Sequence, residues 1–285
     1  MKFTKLQGAG NDFLLIEAGN MQRDWSQLAR AMCDRHFGIG ADGLLVLLPS
    51  DAADFQMREF NPDGSESESC GNGLRCLVKY VMDKKLVDTA TREVSIKTVS
   101  GVRKFKADNS QNETAEIQIS MGAPKFETED IPAVLEPGKG QIVDIKLIKY
   151  PVIVDDKELF LNLISTGNPH AVYFWDKPVS NFPLSQLGPK IEKHKMFPER
   201  TNFEVARVMD KKQIEARVWE RGVGETLACG SGACAIAVAA RLNGHVGSKV
   251  DIIYPGGTLT VEWDGKGEAF LSGPTETVFM GEWPE

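Results

Sequence analysis

Two short stretches carry the chemistry of this sequence: Cys70-Gly71-Asn72-Gly73 and Cys229-Gly230-Ser231-Gly232, each running directly into an apolar segment. A Cys-Gly-x-Gly run of this kind reads as a loop-to-helix junction, where backbone N–H groups are unpaired and point outward. A thiolate is favoured at such a junction, and the same amides bind carboxylate or phosphate. The glycines let a ligand reach the backbone without meeting a Cβ. One cysteine beside an anion site suggests an ordinary nucleophile, whereas two in matched settings suggest a base and an acid on opposite sides of one carbon. Inverting an amino-acid α-carbon needs that arrangement, because a weakly acidic proton leaves from one face and another arrives on the other. A free thiol titrates near a pKa of about 8.5, lower beside a helix N-terminus, so one sulfur can rest as thiolate and the other as thiol near neutral pH. Helix amides aimed at the substrate carboxylate would stabilise the charge that develops as the proton leaves. Pyridoxal phosphate and other cofactors are then unnecessary. If each sulfur comes within roughly 3 to 3.5 Å of the carbon, the two face each other across about 6 to 7 Å.

Other uses of the thiols fit less well. Zinc favours thiolates at Cys-x2-Cys spacing, while the pairs here are Cys70/Cys76 and Cys229/Cys234, with the second members inside helices, so no metal is expected. Two facing thiols can oxidise, but that reads as an inactivating accident. Cys33, Cys76 and Cys234 read as small buried hydrophobes. A cysteine-dependent acyl-transfer enzyme would need a single nucleophile with a nearby histidine, for which His170 is the obvious candidate among four histidines. A non-catalytic binding protein would leave both thiols dispensable.

These motifs need elements to hold them. Gly232–Asn243 contains Ala233-Cys234-Ala235-Ile236-Ala237-Val238-Ala239-Ala240, apolar on every face, and such a helix must be enclosed. Leu74–Asp83 suggests the same, and Trp25–Arg35 behind Asp24 and Leu184–Lys193 read as further helices. Strand patterns dominate elsewhere, as in Leu44–Leu48, Val94–Lys97, Glu116–Ser120, Ile214–Trp219 and Thr258–Trp263. An α+β fold follows, with curved, mostly antiparallel, barrel-like sheets each closing around a central helix. An internal repeat doubles it. A shift of 159 residues places Arg58, Glu66, Cys70, Gly71 and Gly73 on Arg217, Glu225, Cys229, Gly230 and Gly232, with Phe60 on Trp219; a shift of 157 places Gly10-Asn11 on Gly167-Asn168. Two pseudo-symmetric domains are expected, 1–118 rejoined by a strand within 275–285, and 119–274.

At 285 residues the chain is long enough for two cores, and 42% hydrophobic with 26% charged residues is the balance of a globular protein. Lys and Arg number 33 against 40 Asp and Glu, which leaves no positive footprint for nucleic acid. Met1–Gln7 has no apolar run of signal-peptide length and no segment is long enough to span a membrane, which points to the cytoplasm and to free thiols.

Glu68-Ser69-Cys70-Gly71-Asn72-Gly73-Leu74-Arg75-Cys76, Ala228–Ala233 and Gly8-Ala9-Gly10-Asn11-Asp12-Phe13 together resemble the diaminopimelate epimerase family. So do Gly38–Gly43, Phe60–Gly64, Gly167-Asn168-Pro169-His170, Thr201-Asn202 and Trp219-Glu220-Arg221-Gly222, so the likeness covers nearly the whole chain. The resemblance implies interconversion of LL- and meso-diaminopimelate by two cysteines, a step toward lysine and bacterial cell-wall cross-links. It also implies a homodimer whose site lies in the cleft between the two halves of each chain. Carried over as substrate-binding positions are Asn11, Gly43, Asn61, Gly71, Asn72, Asn168, Asn202, Glu220, Arg221, Gly230 and Ser231, with His170 and Glu220 tuning the two thiols. Some family members carry Gln at the position of Gly43, where this chain offers only backbone. Arg221 would grip a distal carboxylate with Asn61 and Asn202 beside it. A proline racemase-like enzyme shares the two-cysteine chemistry but gives no reason for Arg221 and the asparagine set. Read from residue types alone, Asn61-Pro62-Asp63-Gly64 is a turn, Asn11 and Asn168 could equally hold left-handed turns, and Glu220-Arg221 is a solvated pair at a strand end.

Overall fold

The computed structural model describes residues 1–67, 71–87, 93–99, 101–107, 117–135, 140–143 and 146–284. Two compact units are present, residues 1–120 with 272–285, and residues 121–271.

In the first unit, β1 (Lys2–Gly8) and β2 (Asn11–Glu17) form a hairpin across Ala9 and Gly10. Their φ values of 53° and 81° supply the pair of left-handed residues that a two-residue hairpin turn needs. Helix α1 (Trp25–Cys33) then starts behind Asp24, whose carboxylate accepts from the Gln27 amide. It carries the chain across the sheet, so β3 (Gly43–Leu48) runs parallel to β2, and β4 (Phe55–Phe60) returns antiparallel. Helix α2 (Gly71–Asp83) makes a second crossover, and β5 (Glu93–Thr98) runs parallel to β4, followed by antiparallel β6 (Gly101–Ala107) and β7 (Ile117–Ser120). The strand Glu276–Glu282 closes the unit against β1.

Strands β2 and β3 are apolar without alternation because both their faces are covered: Phe13–Ile16 and Leu44–Leu47 are all buried. On one side lies α1, an amphipathic helix that contributes Trp25, Leu28, Ala29, Met32 and Cys33 to a core with Leu14, Ile16, Leu44, Val46 and Phe60. Packed also against these strands is α2, which is buried at every position from Gly71 to Val78 and again at Tyr80 and Val81.

The second unit contains β8 (Gln141–Val143), β9 (Lys146–Ile148), β10 (Tyr150–Val154), β11 (Lys157–Ser165), β12 (Pro169–Phe174), α3 (Leu184–Glu192), β13 (Asn202–Val208), β14 (Gln213–Glu220), β15 (Gly224–Thr226), α4 (Gly230–Leu242), β16 (Lys249–Tyr254) and β17 (Gly257–Glu262). β18 (Phe270–Gly273) spans the end of this unit, and Glu276–Glu282 is β19. The pairing scheme repeats: β11 and β12 antiparallel, β12 and β13 parallel, β13 and β14 antiparallel, β14 and β16 parallel, β16 and β17 antiparallel. Helix α4 is enclosed as its composition demands, with Gly230 and every residue from Gly232 to Ala240 buried against β11, β12, β13, β16 and β17. The expected α+β architecture of mostly antiparallel sheet around a central helix is therefore present in both units. The parallel pairs within each unit are a consequence of the two helical crossovers.

The repeat also conserves a lock. Arg58 binds Glu66 at 2.7 Å in the first unit and Arg217 binds Glu225 at 2.7 Å in the second, each joining the strand before a cysteine motif to the segment leading into it. The expected strand Glu116–Ser120 is observed from Ile117, residue 116 lying outside the described residues.

A charged cluster fixes the entry to β2. Asp12 receives Lys5 at 2.5 Å and Arg35 at 2.6 Å, and Arg35 also binds Asp42 at 2.7 Å. Burial alone would raise the Asp12 carboxyl, but the hydrogen bonds from Arg35 and Lys5 outweigh it and hold it down to about 2. A carboxyl depressed in this way contributes stability above its unfolded value near 4, and that contribution disappears as pH falls through the folded value. Asp12→Asn is expected to cost about 1–2 kcal/mol at neutral pH, allowing for solvent screening at exposed Arg35. Urea unfolding of both proteins at about pH 7, 4 and 2.5 checks it: the gap should hold at the first two and shrink at the third.

Candidate active site

Cys229 immediately precedes α4 in extended conformation, with φ −133° and ψ 120°, and its carbonyl accepts the Ala233 amide at 2.9 Å. The Ser231 hydroxyl lies 3.5 Å from its sulfur, and the Gly232 amide also faces it. The Gly232 amide is one of the helix-start N–H groups that the Cys-Gly-x-Gly reading expects. The thiol, however, is not lowered. Burial and the nearby carboxylates of Glu220 and Glu204 push it well above its ordinary value, against the pull of Ser231 and Gly232. Sequence reasoning recognises the helix terminus beside the sulfur, but it cannot reveal two carboxylates brought in from β13 and β14, so the expectation of a lowered thiol is corrected for Cys229. In the resting protein this sulfur holds its proton.

Glu220, at the end of β14, is raised in turn, first by burial; hydrogen bonds from the Thr226 hydroxyl and the Cys229 thiol lower it in part. Its loop is held by two buried side chains. The Glu192 carboxylate accepts from Trp219 Nε1 at 2.8 Å and from the Gly222 amide at 3.0 Å, while Asn202 Oδ1 accepts the Arg221 amide at 2.8 Å. Asn202 Nδ2 donates to the Pro169 carbonyl at 2.9 Å, so both ends of this buried amide serve backbone. The Arg221 guanidinium is exposed and touches the Glu199 carbonyl at 3.2 Å.

His170 lies fully buried on β12, with Nδ1 2.6 Å from Glu204 Oε1 and Nε2 2.8 Å from Asn168 Oδ1. Asn168 is half-buried in the turn after β11, where Gly167 has φ 101° and Thr166 Oγ1 donates to the Ser231 carbonyl at 3.1 Å. Glu204 and Tyr254 are site residues that sequence reasoning missed. The available signal was Glu204 itself, one charge in the otherwise core-like run Asn202-Phe203-Glu204-Val205-Ala206. Tyr254 is buried at the end of β16 with its thiol-side neighbours Cys229 and Glu204 raising its hydroxyl beyond the effect of burial.

In the first unit, Asn11 Nδ2 donates to Asp42 Oδ2 at 2.7 Å, Asn72 Nδ2 donates to Asn11 Oδ1 at 3.3 Å, and Arg75 Nη2 donates to Asn72 Oδ1 at 2.8 Å. This chain runs from the start of β2 to the first turn of α2 and fixes both asparagines. Gly71 begins α2 and Asn72 is buried; Cys70 lies outside the described residues. Asn61 closes a turn, donating to Ser65 Oγ at 2.9 Å while its carbonyl accepts the Gly64 amide. Gly43 opens β3 opposite Phe13, and a Cβ there would stand 3.3 Å from the Phe60 carbonyl.

The glycines inside both motifs explain themselves by what lies beneath them. A Cβ on Gly73 would be 3.2 Å from Glu59 Oε2, and one on Gly232 would be 2.9 Å from Glu204 Oε1. Each helix start therefore rests on a buried carboxylate. The strand pairs are Leu45 with Glu59 and Glu204 with Val218, so the two units supply the acid from opposite strands of the same repeated pair.

A profile of diaminopimelate epimerase matches residues 3–127 and 162–282. The chain belongs to the diaminopimelate epimerase family. Diaminopimelate epimerases from Methanococcus maripaludis and Agathobacter rectalis are each 42% identical to it, and that of Caldanaerobacter subterraneus is 45% identical, all over 99% of both chains. Among solved structures, a phenazine biosynthesis protein of the PhzF family from Bacillus anthracis superposes with TM-score 0.72 at 16% identity, covering 100% of this chain and 99% of that one. A hydroxyproline epimerase from Agrobacterium vitis superposes with TM-score 0.69 at 14% identity, covering 99% and 90%. These two share the fold.

For a member of the diaminopimelate epimerase family, the second unit thus gathers Cys229, Gly230, Ser231, Glu220, His170 and Asn168 around one helix start, while Asn202 faces backbone. Cys33, Cys76 and Cys234 are buried as expected of small hydrophobes, and burial pushes the first two thiols up to about 12. Because Glu220 helps keep Cys229 protonated, Glu220→Gln is expected to speed alkylation of Cys229 by iodoacetamide about 10-fold at mildly alkaline pH. Peptide mass spectrometry over a time course checks it, and equal rates in the two proteins would contradict the electrostatic account.

Proposed function

We infer that this protein is an isomerase that interconverts LL- and meso-diaminopimelate by passing protons between the α-carbon and two thiols, Cys70 and Cys229. Family membership supports the reaction, and the observation that carries the mechanism is the repeated Cys-Gly-x-Gly at the start of an enclosed helix. One sulfur, as thiolate, takes the α-proton while the carbon–hydrogen bond breaks; the other releases its proton to the opposite face. Cys229, held protonated by burial and by the neighbouring Glu220, is the donor in the direction that begins with a Cys70 thiolate, and the roles exchange in the reverse reaction. The amides of Gly71, Asn72, Gly230 and Ser231 take the charge that spreads onto the reacting carboxylate. Arg221, with Asn61 and Asn202 beside it, grips the distal amino-acid end, a demand that a proline-sized substrate does not make, while Asn11 and Asn168 orient the substrate around the reacting centre. The two thiols supply both acid and base, so the chemistry calls for no cofactor.

We further place the enzyme in the cytoplasm as a homodimer. Supporting the dimer, β19 pairs with β1 and exposes Val278, Phe279 and Met280, an apolar row on a strand that a second copy would cover. The double substitution Val278→Lys, Met280→Lys is expected to yield monomers in sedimentation velocity while the circular dichroism spectrum is unchanged.

The reaction is tested with LL-diaminopimelate in deuterated water. Deuterium should enter one α-carbon; Cys70→Ala and Cys229→Ala should each lower kcat at least about 1,000-fold while substrate still binds. Full activity in either single variant would remove the two-thiol mechanism.

A further inference from the structure

Glu204 poses a problem of charge. It is fully buried on β13, Oε1 is 2.6 Å from His170 Nδ1, and Oε2 has no hydrogen-bond partner among the described residues. An isolated carboxylate in such a place is costly. His170 is the group able to complete the balance. Two proton arrangements leave the Glu204–His170 pair neutral. In one, a carboxylate faces an imidazolium; in the other, a carboxylic acid donates to Nδ1 of a neutral ring. Both put a proton on Nε2. The remaining arrangement, a carboxylate facing a neutral ring protonated at Nδ1, leaves an uncompensated buried charge.

A protonated Nε2 needs an acceptor, and the atom 2.8 Å away is Asn168 Oδ1. The Asn168 amide is then locked with its oxygen turned toward His170, which leaves its NH2 on the other side of a half-buried residue, in the turn whose Thr166 hydroxyl donates to the Ser231 carbonyl. Asn11, its repeat-related counterpart, is set differently: its Nδ2 is committed to Asp42 and its Oδ1 accepts from Asn72. The repeat has thus retained the asparagine and changed what orients it.

We propose that Glu204 and His170 act as a neutral positioning pair that turns the Asn168 NH2 toward the ligand, making Asn168 a donor to a carboxylate oxygen and excluding it as an acceptor for an ammonium group. The assignment of diaminopimelate as ligand rests on the reading above, whereas the proton arrangement does not. It deepens that reading by stating which end of the amino acid this side chain selects, and it gives His170 the task of orienting Asn168.

Two measurements on the full-length protein test it. Ring-15N histidine labelling, with His170 identified by the signal lost in His170→Gln, should show a directly bonded proton on Nε2 at neutral pH; an unprotonated Nε2 would overturn the proposal. In Asn168→Asp, the side chain still accepts from Nε2, so the melting temperature should stay within a few degrees. The oxygen that replaces the NH2 should repel a carboxylate and raise KM for diaminopimelate about 100-fold, with kcat changed much less. A lower KM would show that an ammonium is bound there and an unchanged KM that the side chain meets no carboxylate, and either would overturn it. If the parent protein does not exchange deuterium into diaminopimelate, the functional reading fails, while the nuclear magnetic resonance result still decides the Glu204–His170–Asn168 arrangement.

Discussion

Enclosing the start of a helix whose loop must stay open to a ligand is the constraint around which this protein is built. Helix α4 is apolar on every side, so its first turn sits at the end of a closed core, and the amides that α-helical geometry leaves unpaired there are surrounded by low-dielectric material. In that setting a charge is either well supported or costly. The protein places a thiol, two carboxylates, an imidazole and a phenol around it, and the balance among them decides which of these groups carries a proton.

That balance changes the chemistry expected of a cysteine at a helix terminus. Helix amides favour thiolate, yet Cys229 is dominated by burial and by Glu220 and Glu204, so the resting group is a thiol suited to giving a proton. The carboxylate under each motif glycine is part of the same design. In the second unit Glu204 comes from β13, and in the first Glu59 comes from β4, the partner strand of the repeated pair. The two halves have kept the requirement for a buried acid beneath the helix and satisfied it from opposite sides of the sheet.

The surrounding scaffold serves to hold short polar side chains still. Arg58–Glu66 and Arg217–Glu225 tie each cysteine segment to the strand before it, Glu192 and Asn202 pin the loop that bears Glu220 and Arg221, and Asp42 and Asn72 hold Asn11 from either end. Most of these contacts join residues far apart in sequence. A turn of one side chain would exchange a donor for an acceptor at the site, which is why so many amides here have both ends occupied.

The sequence alone determined the duplicated architecture, the two enclosed helices and the cysteine motifs at their starts, because these rest on local matters: apolar residues on every helical face, glycines where a backbone must be approached, and spacing repeated at 159 residues. It also showed Asn61–Gly64 as a turn, since that depends on Asn, Asp and Gly acting within a few residues. Tertiary structure decided what surrounds those motifs. Glu204 was one charge in a strand and Tyr254 one aromatic at a strand end until β13 and β16 were wrapped around α4, and Asn202 took backbone partners that no local pattern announces. Protonation followed the same division, for a helix terminus is visible in a run of residues, whereas burial and the approach of a distant carboxylate exist only once the chain has closed.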